Sequence, residues 1–203
     1  MIVGLSGYAR SGKDTTARVF VEHGWRRDAF ADRLREFLYE LNPIVQYPVP
    51  GGAPEFTRLS VLVNDIGWER TKLECPEAAD LLLRCGTEAG RKVLGEDVWV
   101  NAVLRSYQPS ENLVITDCRF PNEAREIRRR GGVIIRVTRP GVEPRRTSTG
   151  EPHASDVALD DHPFDFTIRN EGTEKELREK AASMMRWVHV LRRTCDSAAC
   201  VIV

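Results

Sequence analysis

The sequence predicts an α/β fold with a five-stranded, mainly parallel sheet. Three observations carry this prediction: short apolar runs alternate with helical stretches, a glycine-rich turn follows the first run, and 41% of the 203 residues are apolar. Strands that alternate with helices pair in parallel and pack helices on both faces of the sheet, in three layers. A chain of this length buries a sizeable core, and we expect a single domain over residues 1–191 and a loosely ordered tail over 192–203.

The first half of the chain is predicted to hold two strands and several helices, which hydrophobic spacing and helix-ending residues delimit. In chain order they are a strand at 2–5, a helix from Gly12 to Gly24, a strand at 25–30, a helix ending before Pro43, a loop at 43–54, and helices at 59–66, after Pro76 and around Trp99.

The second half supplies the other three strands and two helices. These are a strand at 113–117, a charged helix at 123–130, strands at 133–137 and 166–168, and a C-terminal helix capped by Thr173.

The charges cancel over the whole chain but not locally. Thirty basic residues, 25 of them arginine, balance 30 acidic ones, which argues against a protein that coats nucleic-acid polymers. Residues 119–146 carry nine arginines and three acids, whereas 147–168 carry five acids and no arginine or lysine. The pattern fits either a lid that meets an anionic substrate, over about 139–160, or an ordinary solvated helix and loop.

The stretch from Gly7 to Thr15, GYARSGKDT, joins a predicted strand to a predicted helix, as a phosphate-binding P-loop does. Gly7, Arg10, Ser11 and Gly12 would wrap backbone amides around the phosphates of ATP, and Lys13 would reach the β- and γ-phosphates.

Asp14 stands where this motif normally has Ser or Thr as the Mg²⁺ ligand. A carboxylate beside a triphosphate is repelled unless a cation lies between them, so we expect Asp14 to help hold Mg²⁺, or else to cap the helix. Thr15 and Thr16 would then bind the α-phosphate side.

Two further acids follow predicted strands. Asp117 ends an apolar strand, where an acid that orients the Mg²⁺ shell would lie, and parallel strands bring their carboxyl ends to one crevice. Asp32 follows the second strand and would either orient the acceptor or act as a plain helix N-cap.

Five segments of the sequence resemble those of a known family. Residues 7–15, 30–35, 84–99, 116–123 and 165–172 together are similar to the phage-type deoxynucleoside monophosphate kinases. The resemblance runs from residue 2 to about 188, and its most specific parts are the Lys-Asp-Thr of the loop and the Asp-x-Arg-Phe-Pro-Asn-Glu segment at 117–123. It implies a three-layer P-loop kinase fold with an arginine-bearing lid, and transfer of the γ-phosphoryl group from Mg²⁺-ATP to a deoxynucleoside monophosphate for DNA precursor supply.

The resemblance also implies roles for single residues. Lys13 would be the phosphate lysine, and the lid would hold Arg139, Arg145 and Arg146, with Arg139 near the transferring group. Asn170 to Gly172 would cradle the adenine ring. The residues implied to bind the acceptor or neutralise the transferring group are Arg10, Asp32, Arg35, Arg84, Glu88, Arg91, Trp99 and Arg119.

Two other functions stay open on the sequence. A different P-loop kinase, such as dephospho-coenzyme A kinase, would phosphorylate a hydroxyl with Asp32 as general base. A nucleotide-binding regulator would bind ATP without turnover. Five cysteines with no metal-site spacing, and no leader or membrane-spanning stretch, predict a cytoplasmic protein (host cytoplasm for a phage protein) with no membrane partner. The oligomeric state, a homodimer included, is not fixed.

Overall fold

The computed structural model describes residues 1–49, 51–146 and 150–198, with side chains described as far as residue 190. The chain forms two compact units. The first, which we call the sheet unit, comprises Met1–Ala29 and Ser106–Val203. The second, the helical unit, comprises Phe30–Arg105.

The strands, in chain order, are β1 Ile2–Ser6, β2 Arg26–Asp28, β3 Ile44–Tyr47, β4 Glu55–Arg58, β5 Leu113–Ile115, β6 Val133–Thr138 and β7 Phe166–Arg169. The helices are α1 Lys13–Glu22, α2 Phe30–Leu41, α3 Leu59–Glu74, α4 Pro76–Leu83, α5 Gly90–Leu94, α6 Val98–Leu104, α7 Pro121–Arg129, α8 Ala154–Val157 and α9 Glu174–Ala198, with a π-helical segment Arg84–Ala89 between α4 and α5.

The sheet unit contains five parallel strands in the order β2-β5-β1-β6-β7. This confirms the predicted sheet. The central strand β1 is fully buried, and it pairs with β5 on one side and β6 on the other. The loop that follows β1 therefore lies at the middle of the carboxyl edge of the sheet, where ligands of open parallel sheets bind.

Helices cover both faces of this sheet. On one face, Val3, Leu5 and Ile135 pack with residues of α1 and α9, including Phe20 and Leu177, in one apolar core. On the other face lies α7. A Cβ added to Gly4 would lie 2.8 Å from the Cδ1 atom of Ile127 in α7, so glycine lets this helix approach β1 closely. The sheet unit thus has the predicted three layers.

The helical unit has its own core, formed by Leu38, Val45, Leu59, Leu62, Cys75 and Ala78. Helix α3 bends within its length because Gly67 has φ 76° and ψ 161°, values outside the helical region. The helix predicted at 59–66 therefore continues past this kink as far as Glu74.

Two predictions on the elements were wrong. Residues 43–54 are not all loop, because β3 and β4 pair as an antiparallel hairpin with Ile44 opposite Arg58 and Tyr47 opposite Glu55. The prolines that favoured a loop lie between or beside the paired residues. Phe30 is not in the second strand: the carboxylate of Asp28 accepts a hydrogen bond from the Ala29 amide at 2.9 Å and α2 begins at once.

Thr173 caps the C-terminal helix, as predicted, and it forms a capping box with Glu176. The Thr173 hydroxyl accepts a bond from the Glu176 amide at 3.3 Å, and the Glu176 carboxylate accepts one from the Thr173 amide at 2.7 Å. Helix α9 continues to Ala198, so it includes residues 192–198 of the predicted tail, whereas 199–203 lie outside the described residues. Among the described residues, no helix combines the length and apolar character needed to cross a membrane.

Candidate active site

The loop after β1 has the backbone conformation that its glycines predict. Gly7 has φ 136°, Gly12 has φ 110°, and Arg10 also has a positive φ of 64°. A Cβ on Gly7 would lie 2.2 Å from the carbonyl oxygen of Val137, and one on Gly12 would lie 2.8 Å from Asn170 Nδ2. Any side chain at either glycine would therefore collide with β6 or with the residue that follows β7.

The start of α1 offers unused donors to an anion. The first intrahelical bond runs from the Thr16 amide to the Gly12 carbonyl at 3.0 Å, so the amides of residues 13–15 have no acceptor within the helix. Their partial positive charge adds to that of the loop. Within the described part of the chain, the buried hydroxyls of Ser11 and Thr16 also lack a hydrogen-bond partner. The helix amides fit the phosphates of a nucleotide, whereas the two buried hydroxyls do not line the cavity at the loop.

Lys13 is folded back over the loop. Its Nζ donates to the carbonyl oxygens of Gly7 at 2.8 Å and Tyr8 at 2.7 Å. Burial and, to a smaller extent, the guanidinium of Arg119 lower the pKa of this lysine to about 8, while Asp14 opposes the change. A bound polyphosphate would supply the missing negative charge and raise this pKa.

A cavity of about 450 Å³ opens at the loop. Several of the residues predicted to bind ATP line it together. Its lining comprises Arg10, Gly12, Lys13, Asp14, Thr15, Arg139, Asn170, Gly172, Glu174 and Leu177.

Asn170 has a role that the sequence did not predict. Its side chain is buried against the loop, and Nδ2 donates to the carbonyl oxygen of Ser11 at 2.9 Å. The residue expected to cradle adenine therefore also holds the P-loop in place. Thr16 is fully buried and does not line the cavity, in contrast to its neighbour Thr15.

Two arginines meet a buried acid in the lid segment. Arg145 binds Asp156 through Nη2 at 2.7 Å and Nε at 3.0 Å, and Arg119 Nη1 lies 3.9 Å from the same carboxylate. The bond to Asp156 raises the pKa of the Arg145 guanidinium. Burial would raise the pKa of the Asp156 carboxyl, but its bonds to Arg145 outweigh burial and the pKa is lowered.

A second pair of contacts joins the loop to the acidic segment. The Tyr8 hydroxyl donates to Asp160 at 2.7 Å, and Asp160 also accepts a bond from Arg136 at 2.5 Å. The Arg136 guanidinium lies 5.3 Å from the centre of the Tyr8 ring and 5.0 Å from that of Phe164. Sequence reasoning missed these residues and Asp156, since their pairing joins positions more than 100 residues apart or depends on side-chain geometry. The local excess of acids was the one available signal.

The proposed Mg²⁺ residues lie at the carboxyl edge of the parallel sheet, where they were expected. Asp14 is exposed in the first turn of α1, and Asp117 follows β5, the neighbour of β1. Among the described residues, no three His, Cys, Asp or Glu side chains are grouped to hold a metal ion by themselves. Mg²⁺ in nucleotide sites uses one or two carboxylates together with phosphate oxygens, so this donor set fits an ion that arrives with a nucleotide.

The predicted acceptor residues other than Arg10 and Arg119 all lie in the helical unit. Asp32 is in the first turn of α2, inside the helix and not at its cap. Arg35 lies 3.6 Å from Asp32 and donates to Glu69 at 2.8 Å, so it is already held by two acids.

The other acceptor residues follow in the segment 84–99. Arg84 is exposed and lies 3.8 Å from Asp80, and Glu88 is exposed in the π-helical segment. Arg91 is half-buried in α5. Trp99 is buried, and its Nε1 donates to the Gly86 carbonyl at 3.0 Å, which ties the π-helical segment to α6.

The parallel sheet, the glycine-rich loop after its central strand, the helix N-terminus and the loop lysine define an α/β protein of the P-loop type. No family model matches the chain. The chain is 26% identical over 199 residues to a protein of Acanthamoeba polyphaga mimivirus described as "Putative deoxynucleotide monophosphate kinase", covering 90% of this chain and 95% of that protein.

Two solved structures align with most of the chain at low sequence identity. Shikimate kinase from Aquifex aeolicus is 10% identical with a TM-score of 0.46, over 92% of this chain and 96% of that one. Dephospho-CoA kinase from Campylobacter jejuni is 15% identical with a TM-score of 0.44, over the same shares, 92% and 96%.

Proposed function

We propose that this protein is a P-loop kinase that transfers the γ-phosphoryl group of ATP to a deoxynucleoside monophosphate. The observation that carries the proposal is the cavity of about 450 Å³ at the loop, which Lys13 shares with Arg10 and Arg139. Three cationic side chains and a helix N-terminus in one cavity suit a polyphosphate. The acceptor class is supported by the motifs at 84–99 and 117–123 and by the description of the mimiviral relative.

The reaction needs positioning and charge neutralisation more than covalent help. An oxygen of the acceptor phosphate would bond to the γ-phosphorus while the bond to the β,γ-bridging oxygen breaks, and ADP would leave with that oxygen and its electron pair. The acceptor phosphate is already an anion, so no side chain has to remove a proton. Lys13 would leave its two carbonyl partners and bind the β- and γ-phosphates.

The remaining residues would hold the reactants. Arg139 and Arg119 would neutralise the charge that develops on the transferring group, and closure of the lid would exclude water as a competing acceptor. Mg²⁺, with Asp14 and Asp117 as its candidate protein ligands, would supply further charge neutralisation at the phosphates.

The direct test is ADP release with a panel of acceptors: the deoxynucleoside monophosphates, their ribonucleotide counterparts and dephospho-coenzyme A. We expect at least one deoxynucleoside monophosphate to raise ADP release well above the rate without acceptor. If none does, the proposal fails. Lys13→Ala should lower kcat/KM by about 10²–10³-fold, as loss of one preorganised charge at the transition state does. Lys175→Ala, which removes an exposed lysine outside the cavity, is the matched control.

Asp32→Asn separates the two kinase classes. A kinase that phosphorylates a hydroxyl needs a general base and should lose nearly all turnover, whereas transfer to a phosphate should fall by less than tenfold. Turnover with dephospho-coenzyme A that vanishes in this variant would replace the proposal by the alternative.

A further inference from the structure

The acidic segment after the lid arginines contains one carboxylate unlike its neighbours. The Asp156 side chain is 5% exposed, compared with 33% for Asp160 and 34% for Asp165. A buried carboxylate is stable only where its oxygens are paired. The positions of its partners therefore show what Asp156 is built to hold.

Both oxygens of Asp156 are used by arginines. Oδ2 accepts bonds from the Arg145 backbone amide at 2.9 Å and from Arg145 Nε at 3.0 Å. Oδ1 accepts one from Arg145 Nη2 at 2.7 Å, and Arg119 Nη1 lies 3.9 Å away. The neighbouring Ser155 hydroxyl lies 3.4 Å from Arg145 Nη2 and 3.5 Å from Arg119 Nη1. Ser155 and Asp156, in the first turn of α8, thus lie close to two guanidinium groups, those of Arg145 and Arg119.

These arginines come from different elements of the sheet unit. Arg119 follows β5 and Arg145 lies in the lid segment, so no local structure brings them together. The segment that contains Asp156 also contacts the P-loop, because the Tyr8 hydroxyl donates to Asp160 in that segment at 2.7 Å. Two guanidinium groups held side by side repel each other, and Asp156 is the buried charge that offsets this repulsion.

We propose that Asp156 is a positioning residue that fixes Arg145 and Arg119 toward the phosphates bound at the P-loop. The inference rests on the proposed function. Asp156 would not itself be a base or a metal ligand, because Arg145 alone fills both its oxygens. Its bidentate contact sets the plane of the Arg145 guanidinium, which leaves the outward N–H groups of that side chain for the substrate.

The first test compares the kinetics of Asp156→Asn with those of wild type. The amide keeps the shape of the side chain but removes the charge and one acceptor oxygen. We expect kcat to fall about 10- to 100-fold, as for a displaced orienting group, while the KM for ATP changes less than threefold. Asp161→Asn removes an exposed carboxylate from the same segment and is the control expected to match wild type. Wild-type kcat in Asp156→Asn would overturn the proposal.

The second test separates positioning from a merely structural role. Arg145→Gln leaves Asp156 in place, and it should also lower kcat about 10- to 100-fold while the KM for ATP changes less than threefold. A merely structural role of the pair predicts instead a lower melting temperature with wild-type kcat in the folded protein. If Asp156→Asn does not fold, Arg145→Gln still decides the matter, because wild-type kcat in that variant would overturn the proposal.

A double variant shows whether the acid acts through the arginine. If it does, the loss in Asp156→Asn combined with Arg145→Gln should fall well short of the product of the two single losses, because only the part that acts through Arg119 remains. Fully multiplied losses would overturn the inference. Absence of turnover of the wild type with every acceptor would instead refute the proposed function. Slow hydrolysis of ATP to ADP and phosphate without acceptor would still test the placement of Asp156, because its rate should fall in both single variants.

Discussion

Lys13 is the residue on which most of the chemistry depends, and its surroundings make it titrate unusually early. Its Nζ rests on the carbonyl oxygens of Gly7 and Tyr8, and burial together with Arg119 lowers its pKa to about 8. Below this pKa the ammonium is charged and ready for a phosphate. Above it, the amine is neutral, so Lys13 must take up a proton when a phosphate ligand binds.

We therefore predict that ATP binding weakens as pH rises above about 8. Because bound phosphate raises the pKa of Lys13, binding takes up a proton between the pKa of the free protein and that of the complex. The limiting slope is about tenfold in Kd per pH unit. Titration calorimetry in two buffers of different ionisation enthalpy should report this uptake at pH 8.5 and little at pH 7.

Lys13→Arg is the control, since a guanidinium stays charged throughout this range. Its ATP affinity, whatever its value at pH 7, should lack the proton uptake at pH 8.5. An equal uptake in both proteins would mean that another group titrates.

Some residues of the candidate site could be predicted from the sequence and others could not. The P-loop residues could be proposed from the sequence because they form a contiguous motif, and in the structure Lys13, Arg139 and Gly172 line one cavity. The contacts of Asp156 and Asp160 were not, because each depends on how an arginine side chain from another segment is oriented. A count of acids indicated the segment but not the buried member.

At the scale of elements, α1 is seated by two close approaches at Gly12. A Cβ there would lie 2.7 Å from Leu177 Cδ2 and 2.8 Å from Asn170 Nδ2. We predict that Gly12→Ala lowers the free energy of unfolding by about 1–3 kcal/mol through the positive φ alone, with a further loss from overlap. ATP affinity should also fall, because the loop amides shift. Denaturant unfolding and calorimetry measure the two effects.

Gly24→Ala is the matched control at the other end of α1. Gly24 also has a positive φ, 83°, but no atom lies within 4 Å of the added Cβ. It should show the backbone cost of about 1 kcal/mol without loss of ATP affinity. Equal effects of the two substitutions would contradict the role given to the contacts of Gly12.

The π-helical segment depends on one hydrogen bond from α6. Trp99→Phe removes the donor to the Gly86 carbonyl while keeping an aromatic ring. We predict a loss of about 1–3 kcal/mol of stability and a higher KM for the acceptor, since Arg84 begins this segment and Arg91 follows it in α5. Trp187→Phe, at a position 61% exposed on α9, should change stability by less than about 0.5 kcal/mol. An unchanged stability in Trp99→Phe would show that this bond does not hold the segment.

The elements that sequence reasoning misplaced have a common cause. Short apolar runs such as that of β6 and proline-started helices such as α4 carry their signal within a few residues, and both were predicted. The hairpin of β3 and β4 was missed because its pairing partners flank a proline-rich connection, and exposed Phe56 gives no buried alternation. The π-helical segment is bonded to Trp99, which lies ten residues beyond its last residue, Ala89.

At the scale of the whole molecule, ligand binding should be visible as stability. A nucleotide that binds only the folded protein adds about 2.7 kcal/mol when its concentration is 100 times Kd. For a chain of this size we predict a rise in Tm of about 5–11 °C with Mg²⁺-ATP. Differential scanning calorimetry measures it, and an equal rise in Lys13→Ala would contradict the assignment of the loop.

The neutral net charge of the chain reflects pairing between an arginine-rich and an acidic stretch. Thirty basic and 30 acidic residues cancel, yet the structure pairs Arg145 with Asp156 and Arg136 with Asp160 across the boundary between the basic and acidic stretches. The local excesses thus neutralise each other within the sheet unit. The single domain over 1–191 stays a prediction, since the chain forms two compact units.

The folded-back lysine has a consequence for which anions the loop accepts. Any anion that recruits Lys13 must first replace its two bonds to the carbonyl oxygens of Gly7 and Tyr8. Chloride has a single charge with which to compensate the two hydrogen bonds that Lys13 loses. A triphosphate has several charges and several acceptor oxygens. We therefore expect the loop to act as a charge filter that ignores the abundant small anions of a cell and responds to polyphosphates.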